Sequence, residues 1–229
     1  MAQVVEASGR LDVVVHNAAH LLHGTTGAFT PEQVLSALDT NTVGALRVNR
    51  AALPIVREQG SGLPLRVGSG TSVVVPPFLA PCTAARAATD SFAESISVEV
   101  ARFGIETSIV VPGPSTRGTA HFPDATPARD QRVTAQYEDL YGRSTARNAQ
   151  ATESLSAPGV VQDVQAVAGE IARIVDLPHR RRPHRTSVDS SDLGDAPVAA
   201  VAEVQCTRLL HRMGLADVLS PAATGRADT

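Results

Sequence analysis

Residues 11–19 read Leu11-Asp12-Val13-Val14-Val15-His16-Asn17-Ala18-Ala19. Three consecutive β-branched valines favour a strand. The nearly continuous apolar run, without alternation, favours a strand buried on both faces. It ends in small and polar residues. Upstream, Ala2 to Ser8 reads as the end of a helix, and Gly9 stops it. Downstream, Thr30-Pro31-Glu32-Gln33 starts a helix. Thr30 can cap, Pro31 suits the first helical position, and Gln33 completes a capping box. Helical pattern continues to about Glu58, with a break expected near 39–42, and Gly60-Ser61-Gly62 closes it. Pro64 to Ser69 is a second strand. Ala84 to Phe103 reads as one Ala-rich helix with Phe92, Ile96 and Val100 four apart, ended by Gly104. Ile105 to Val111 is the next strand, broken by Pro112-Gly113-Pro114. Helix and strand alternate throughout, which predicts an α/β fold with a parallel sheet covered by helices.

Beyond residue 114 the texture changes. Residues 115–158 are polar and carry no clear strand, too long for a plain connection in a compact domain. They read as a lid with one helix around Ala128 to Arg147. A helix from Val160 to Val175, a solvated basic loop from His179 to His184, a strand from Arg185 to Val188 and a helix from Ala196 to Met213 follow. The expected organisation is a core over 1–114, the lid over 115–158, the last strand and C-terminal helices of the same domain over 159–215, and a frayed tail over 216–229.

The 229 residues are 43% hydrophobic and 19% charged, an ordinary globular composition. A net charge of −3 gives no reason to expect nucleic acid or an acidic membrane surface as partner. Two cysteines, Cys82 and Cys206, rule out a disulfide framework and point to a reducing, cytoplasmic setting. No apolar run reaches membrane-spanning length, and Met1 to Arg10 lacks the apolar stretch of a signal peptide. All 20 basic residues are Arg, so lysine chemistry is excluded.

Four features fall at strand ends: His16-Asn17-Ala18-Ala19, Asn41 within Asp39-Thr40-Asn41-Thr42-Val43-Gly44, Ser69, and Pro112-Gly113. Ligand sites in parallel sheets lie outside the carboxyl ends of the strands, which groups them into one site. Their order and spacing over residues 1–120 resemble the short-chain dehydrogenase/reductase family. The resemblance implies a Rossmann-like parallel sheet flanked by helices, NAD or NADP as cofactor, and a small alcohol or carbonyl substrate. It implies that Asn17, Ala18, Ala19, Pro112, Gly113 and Thr116 border the cofactor. It implies that Ser69 holds the carbonyl oxygen and Asn41 a water. A homodimer through the Ala84 to Phe103 helix is also implied.

Two departures qualify the resemblance. Met1 aligns inside about the third helix of the family, so the first strands, the Gly-rich turn that seats the pyrophosphate and the residue that selects NAD or NADP are expected to be missing. The Tyr-x-x-x-Lys pair is replaced by Cys82 and Arg86. Spacing four keeps both on one helix face. Arg86 can still donate to a ribose diol and supply charge. Cys82 is the weaker substitute, because a nearby cation favours its thiolate and a thiolate has no proton to give.

Each candidate also has a structural reading. Ser69 can bond its own backbone, Asn41 can hold a local turn, Asn17 can bridge strands, and Cys82 can fill the vacated Tyr position as a small apolar residue. His20 and His23 read as loop histidines, with no metal expected. Two functions follow from the sequence. One is an NAD(P)-dependent oxidoreductase with impaired catalysis. The other is a non-catalytic relative acting through protein contacts.

Overall fold

A computed structural model describes residues 1–115, 117–141, 151–152, 154–156, 159–191 and 195–222. Four strands form one parallel sheet in the order β1 (Val13–His16), β3 (Leu63–Val67), β4 (Ser108–Pro112), β6 (Arg185–Val188). Val14 aligns with Pro64, Leu65 with Ser108, and Val110 with Thr186. A separate two-residue pair joins β2 (Leu22–His23) to β5 (Thr126–Pro127). The alternation read from the sequence is therefore the architecture.

Helices pack on both faces of the sheet, as parallel pairing favours, although Val15 at the β1 edge stays 46% exposed. On one face Leu11 and Val14 pack with Ala52 and Val56 of α3 (Gly44–Gln59) and with Val100 of α4 (Ala80–Val100). On the other, Leu63, Leu65 and Val110 close against Ile174 of α6 (Val164–Asp176). Alternate side chains along β3 thus enter different cores, with Leu65 on the α6 side and Arg66 on the α4 side.

The local signals act as their chemistry predicts. α1 (Ala2–Ser8) ends on Gly9 at φ 78°. α2 (Pro31–Leu38) starts with a full capping box between Thr30 and Gln33. The expected break becomes one wide π turn over Asp39–Val43, which leads directly into α3. Other boundaries shift. α4 begins four residues before the expected start because Pro81 fits its first turn. It ends in a 3-10 turn, Ala101–Phe103, with Gly104 left-handed at φ 73°.

Three sequence expectations are corrected in part. The 115–158 segment does contain a strand, β5, and its helix α5 spans Gln131–Tyr141 of the expected 128–147, with 142–147 outside the described residues. The basic loop is solvated at His179–Arg181, as read, but is anchored beneath: buried Glu106 accepts from Arg180 N at 2.6 Å and pairs with the Arg182 guanidinium. Of the expected frayed tail, residues 216–222 are anchored, and 223–229 lie outside the described residues. Residues Ala216–Leu219 form a 3-10 turn, Asp217 pairs with Arg102 at 2.7 Å, and Ala222 N donates to Ala101 O at 2.8 Å. α7 (Asp195–Arg212) buries only Asp195, beside Gly70. No helix among the described residues is long and apolar enough to cross a membrane.

Candidate functional site

A cavity of about 250 Å³ opens beyond the carboxyl ends of β1 and β3. It sits between the π turn and α4. Of the sequence-predicted residues it gathers Asn17, Ala18, Ala19, Asn41 and Arg86. His16, Thr40, Arg66 and Thr89 complete its polar wall.

Asn41 is buried, and both ends of its amide bond one neighbour. Oδ1 accepts from His20 N at 2.7 Å, and Nδ2 donates to His20 O at 2.9 Å. The structure supports the turn-holding reading here, although the turn held is that of the β1–β2 connection rather than its own. The π turn is what aims Asn41 across: Thr89 Oγ1 lies 3.1 Å from Asn41 O, 3.0 Å from Thr42 Oγ1 and 2.7 Å from Ala85 O. Widened turns of this kind recur at functional sites.

Arg86 Nη1 donates to Gly68 O at 3.3 Å, and no carboxylate pairs with it among the described residues. Burial lowers its pKa, partly offset by the Cys82 thiol. Arg66, on β3, has a side chain only 10% exposed. Its Nε is 3.7 Å from Asp90 Oδ1, too far for a hydrogen bond, and both atoms lack partners. Desolvation pulls Arg66 down to about 10 against the pull of Asp90, with Arg86 and Arg185 lowering it further. It stays protonated at neutral pH. His16 Nε2 lies 2.8 Å from Asn49 Oδ1. Burial, reinforced by the Arg66 charge, lowers the His16 pKa despite that bond, so the ring is neutral.

Ser69 and Cys82 are not among the residues that line this cavity. The Ser69 hydroxyl is 2.8 Å from Thr71 Oγ1 and accepts from Thr71 N, capping the 3-10 turn Gly70–Ser72. The Cys82 thiol turns toward β2. It accepts from Leu22 N at 2.9 Å and packs with Leu21, Leu22, Ala37 and Leu79. Burial raises its pKa, outweighing the Leu22 bond and the Arg86 charge. The expected thiolate beside a cation is therefore corrected, because desolvation costs the anion more than Arg86 returns. Pro112 and Gly113 also lie outside the cavity wall. A Cβ on Gly113 would fall 2.2 Å from Asp189 Oδ1 and Gln162 Oε1, so those side chains crowd that turn. Thr116 lies outside the described residues.

Sequence reasoning missed Arg66, whose position in a strand disguised it; it read His20 as a loop histidine without its contact to the lid, and did not single out His121. β5 pairing with β2 brings the lid across, where His20 Nε2 meets Thr126 Oγ1 at 2.9 Å. His121 arrives on the same segment. Its pKa is lowered by burial and then by the charges of Arg86 and His20. No local pattern announces either contact, since both depend on a pairing across about a hundred residues.

The family model for the short chain dehydrogenase matches residues 1–128. The chain belongs to that family. Among curated relatives, an uncharacterized oxidoreductase of Bacillus subtilis is 30% identical over 111 residues, covering 48% of this chain and 40% of its own length. The 17-beta-hydroxysteroid dehydrogenase type 1 of Homo sapiens is 37% identical over 106 residues, 46% of this chain and 32% of its own. The chain spans less than half the length of these dehydrogenase relatives. A short-chain dehydrogenase from Streptomyces avermitilis superposes with a TM-score of 0.68 at 24% identity, over 92% of this chain and 73% of that one. An NAD+-bound xylitol dehydrogenase gives 0.68 at 17% identity, over 82% and 72%. These structural likenesses establish the Rossmann-like short-chain dehydrogenase fold.

Proposed function

We propose that this chain carries the catalytic-side half of an NAD(P)-dependent oxidoreductase for small alcohols and carbonyls, with impaired chemistry. The observation that supports it is the convergence of Asn17, Ala18, Ala19, Asn41 and Arg86 on one cavity at the carboxyl ends of two parallel strands. Neighbours with NAD+ or NADP bound share the fold. The cavity suits the nicotinamide-ribose end of such a cofactor, because Arg86 has donors that no carboxylate takes among the described residues. Arg86 and Asn17 would hold that end, and the bound nicotinamide would supply hydride transfer. Asn41 keeps the β1–β2 connection in place as the cavity wall. Gly68-Ser69-Gly70 does not replace the Gly-rich phosphate turn, since it folds into a capped 3-10 turn.

Impairment follows from the proton. A positioned general acid is worth about 10²–10⁴ in rate. The thiol at 82 is held against β2 backbone and the Ser69 hydroxyl is occupied by Thr71. Those two facts favour the second reading, a non-catalytic relative. Titration of the folded chain with NADH and NADPH, followed by nicotinamide fluorescence, separates the two. Saturable binding, with carbonyl reduction gained in Cys82→Tyr, supports the enzyme. Folded protein that binds neither cofactor at millimolar concentration refutes it.

A further inference from the structure

The cavity wall holds two guanidiniums and no carboxylate. Arg66 and Arg86 together offer ten N–H donors. The bonds they make are long: Arg66 Nη2 to Arg86 O at 3.5 Å, and Arg86 Nη1 to Gly68 O at 3.3 Å. Arg66 is nine-tenths buried with its Nε unpartnered. A buried guanidinium with unused donors is costly unless something accepts them.

The surrounding charges do not discharge the pair. Asp90 stands behind Arg66 but is shared with Arg185, whose Nη2 is 2.8 Å from Asp90 Oδ2 and 2.8 Å from Glu94 Oε1. Glu94 is further engaged by His184 at 2.8 Å. Three guanidiniums therefore face two carboxylates, and both carboxylates lie away from the cavity. The facing elements put no carboxylate on the wall: the π turn presents Thr40 and Asn41 while its Asp39 pairs with Arg47 at 2.8 Å, and β1 presents neutral His16 and Asn17.

We infer that this cavity is an oxyanion site, built to take a phosphate or carboxylate group between Arg66 and Arg86. Arg86 supplies a fork that matches two anion oxygens. Buried Arg66 adds a second charge, and exposed Asn17 adds an amide donor. A cavity of about 250 Å³ is below the roughly 300–1,000 Å³ of sites for drug-sized ligands, so the group is a small anion or the charged end of a larger molecule. The inference shares its cavity with the oxidoreductase reading but does not require hydride transfer.

The test is isothermal titration calorimetry of the whole chain with inorganic phosphate, ionic strength matched by sodium chloride. Parallel titrations use NADPH and reduced nicotinamide riboside, which lacks phosphate. Saturable phosphate binding that weakens with added chloride, and about tenfold in Arg86→Gln, is expected. Arg86→Gln is the chosen variant because the only side-chain hydrogen bond of Arg86 among the described residues goes to a neutral carbonyl, whereas Arg66→Gln would leave buried Asp90 with Arg185 alone. Phosphate heats equal to those of the chloride control overturn the inference, as does unchanged affinity in a folded Arg86→Gln. Phosphate binding without NADPH binding upholds it while removing the cofactor reading. NADPH or riboside binding without phosphate binding does the reverse.

Discussion

Asn41→Ala tests whether the buried amide is a clamp. The variant removes two short hydrogen bonds to the His20 backbone, at 2.7 and 2.9 Å. Each is worth about 1 kcal/mol net. His20 is exposed, so its freed N–H and C=O regain water and add no burial penalty. The expected loss is about 2 kcal/mol, which lowers the midpoint of a chain this size by about 4–8 °C. Thermal melting followed by circular dichroism at the helix band reads it directly. Asn41→Asp keeps the acceptor for His20 N but sets an oxygen against His20 O, so its loss is at least as large. A midpoint shift below about 1 °C in Asn41→Ala would refute the clamp and return Asn41 to a role in solvent or proton handling.

Other outcomes follow from buried charge and thiol. Cys206 is exposed and Cys82 buried with its pKa raised, so a native-state thiol titration consumes one equivalent quickly and the second only after denaturation; rapid reaction at both sites contradicts the packing. Glu106→Gln breaks the buried pair with Arg182 and costs about 3 kcal/mol in urea unfolding; a loss below about 1 kcal/mol would mean that the basic loop holds without it. The His184–Glu94 pair gives a pH signature. Burial alone would lower the His184 pKa, but the Glu94 bond and charge raise it above 6.5, and His184 with Arg185 draws Glu94 from 4.5 to about 2. The histidine contribution is complete below pH 6.5 and fades as pH rises through the raised value, while the carboxylate contribution is complete above pH 4.5 and fades toward 2. The stability difference between wild type and His184→Gln should therefore peak between pH 4.5 and 6.5 and shrink above. A difference that is flat across pH 5 to 9 counts against the pair.

Much of the fold was readable from local chemistry. The valine run at 13–15, the Thr30–Gln33 capping box and the left-handed glycines at 9, 60 and 104 each specify their geometry within a few residues. Alternation of those elements then leaves a parallel sheet as the economical way to bury both strand faces. Strand-end placement put Asn17 and Asn41 on one side of the sheet, and both line the cavity, whereas Ser69, Pro112 and Gly113 of the same grouping lie outside its wall; Arg86 reaches it from α4.

What the sequence could not decide is where side chains turn once they arrive. Ser69 and Cys82 stand at matching positions, yet one hydroxyl pairs with Thr71 and the thiol inserts toward β2. Spacing fixes the helix face of residue 82, but the direction and ionisation of its thiol depend on Leu22, sixty residues away. Arg66 looked like an ordinary strand residue and became a buried cation only when α4 laid Asp90 behind it and β6 brought Arg185 alongside. Backbone geometry follows from short-range sterics and hydrogen bonding, which neighbouring residues carry. Charge, solvation and reactivity are set by whatever the chain folds against, so here only the tertiary structure supplied them.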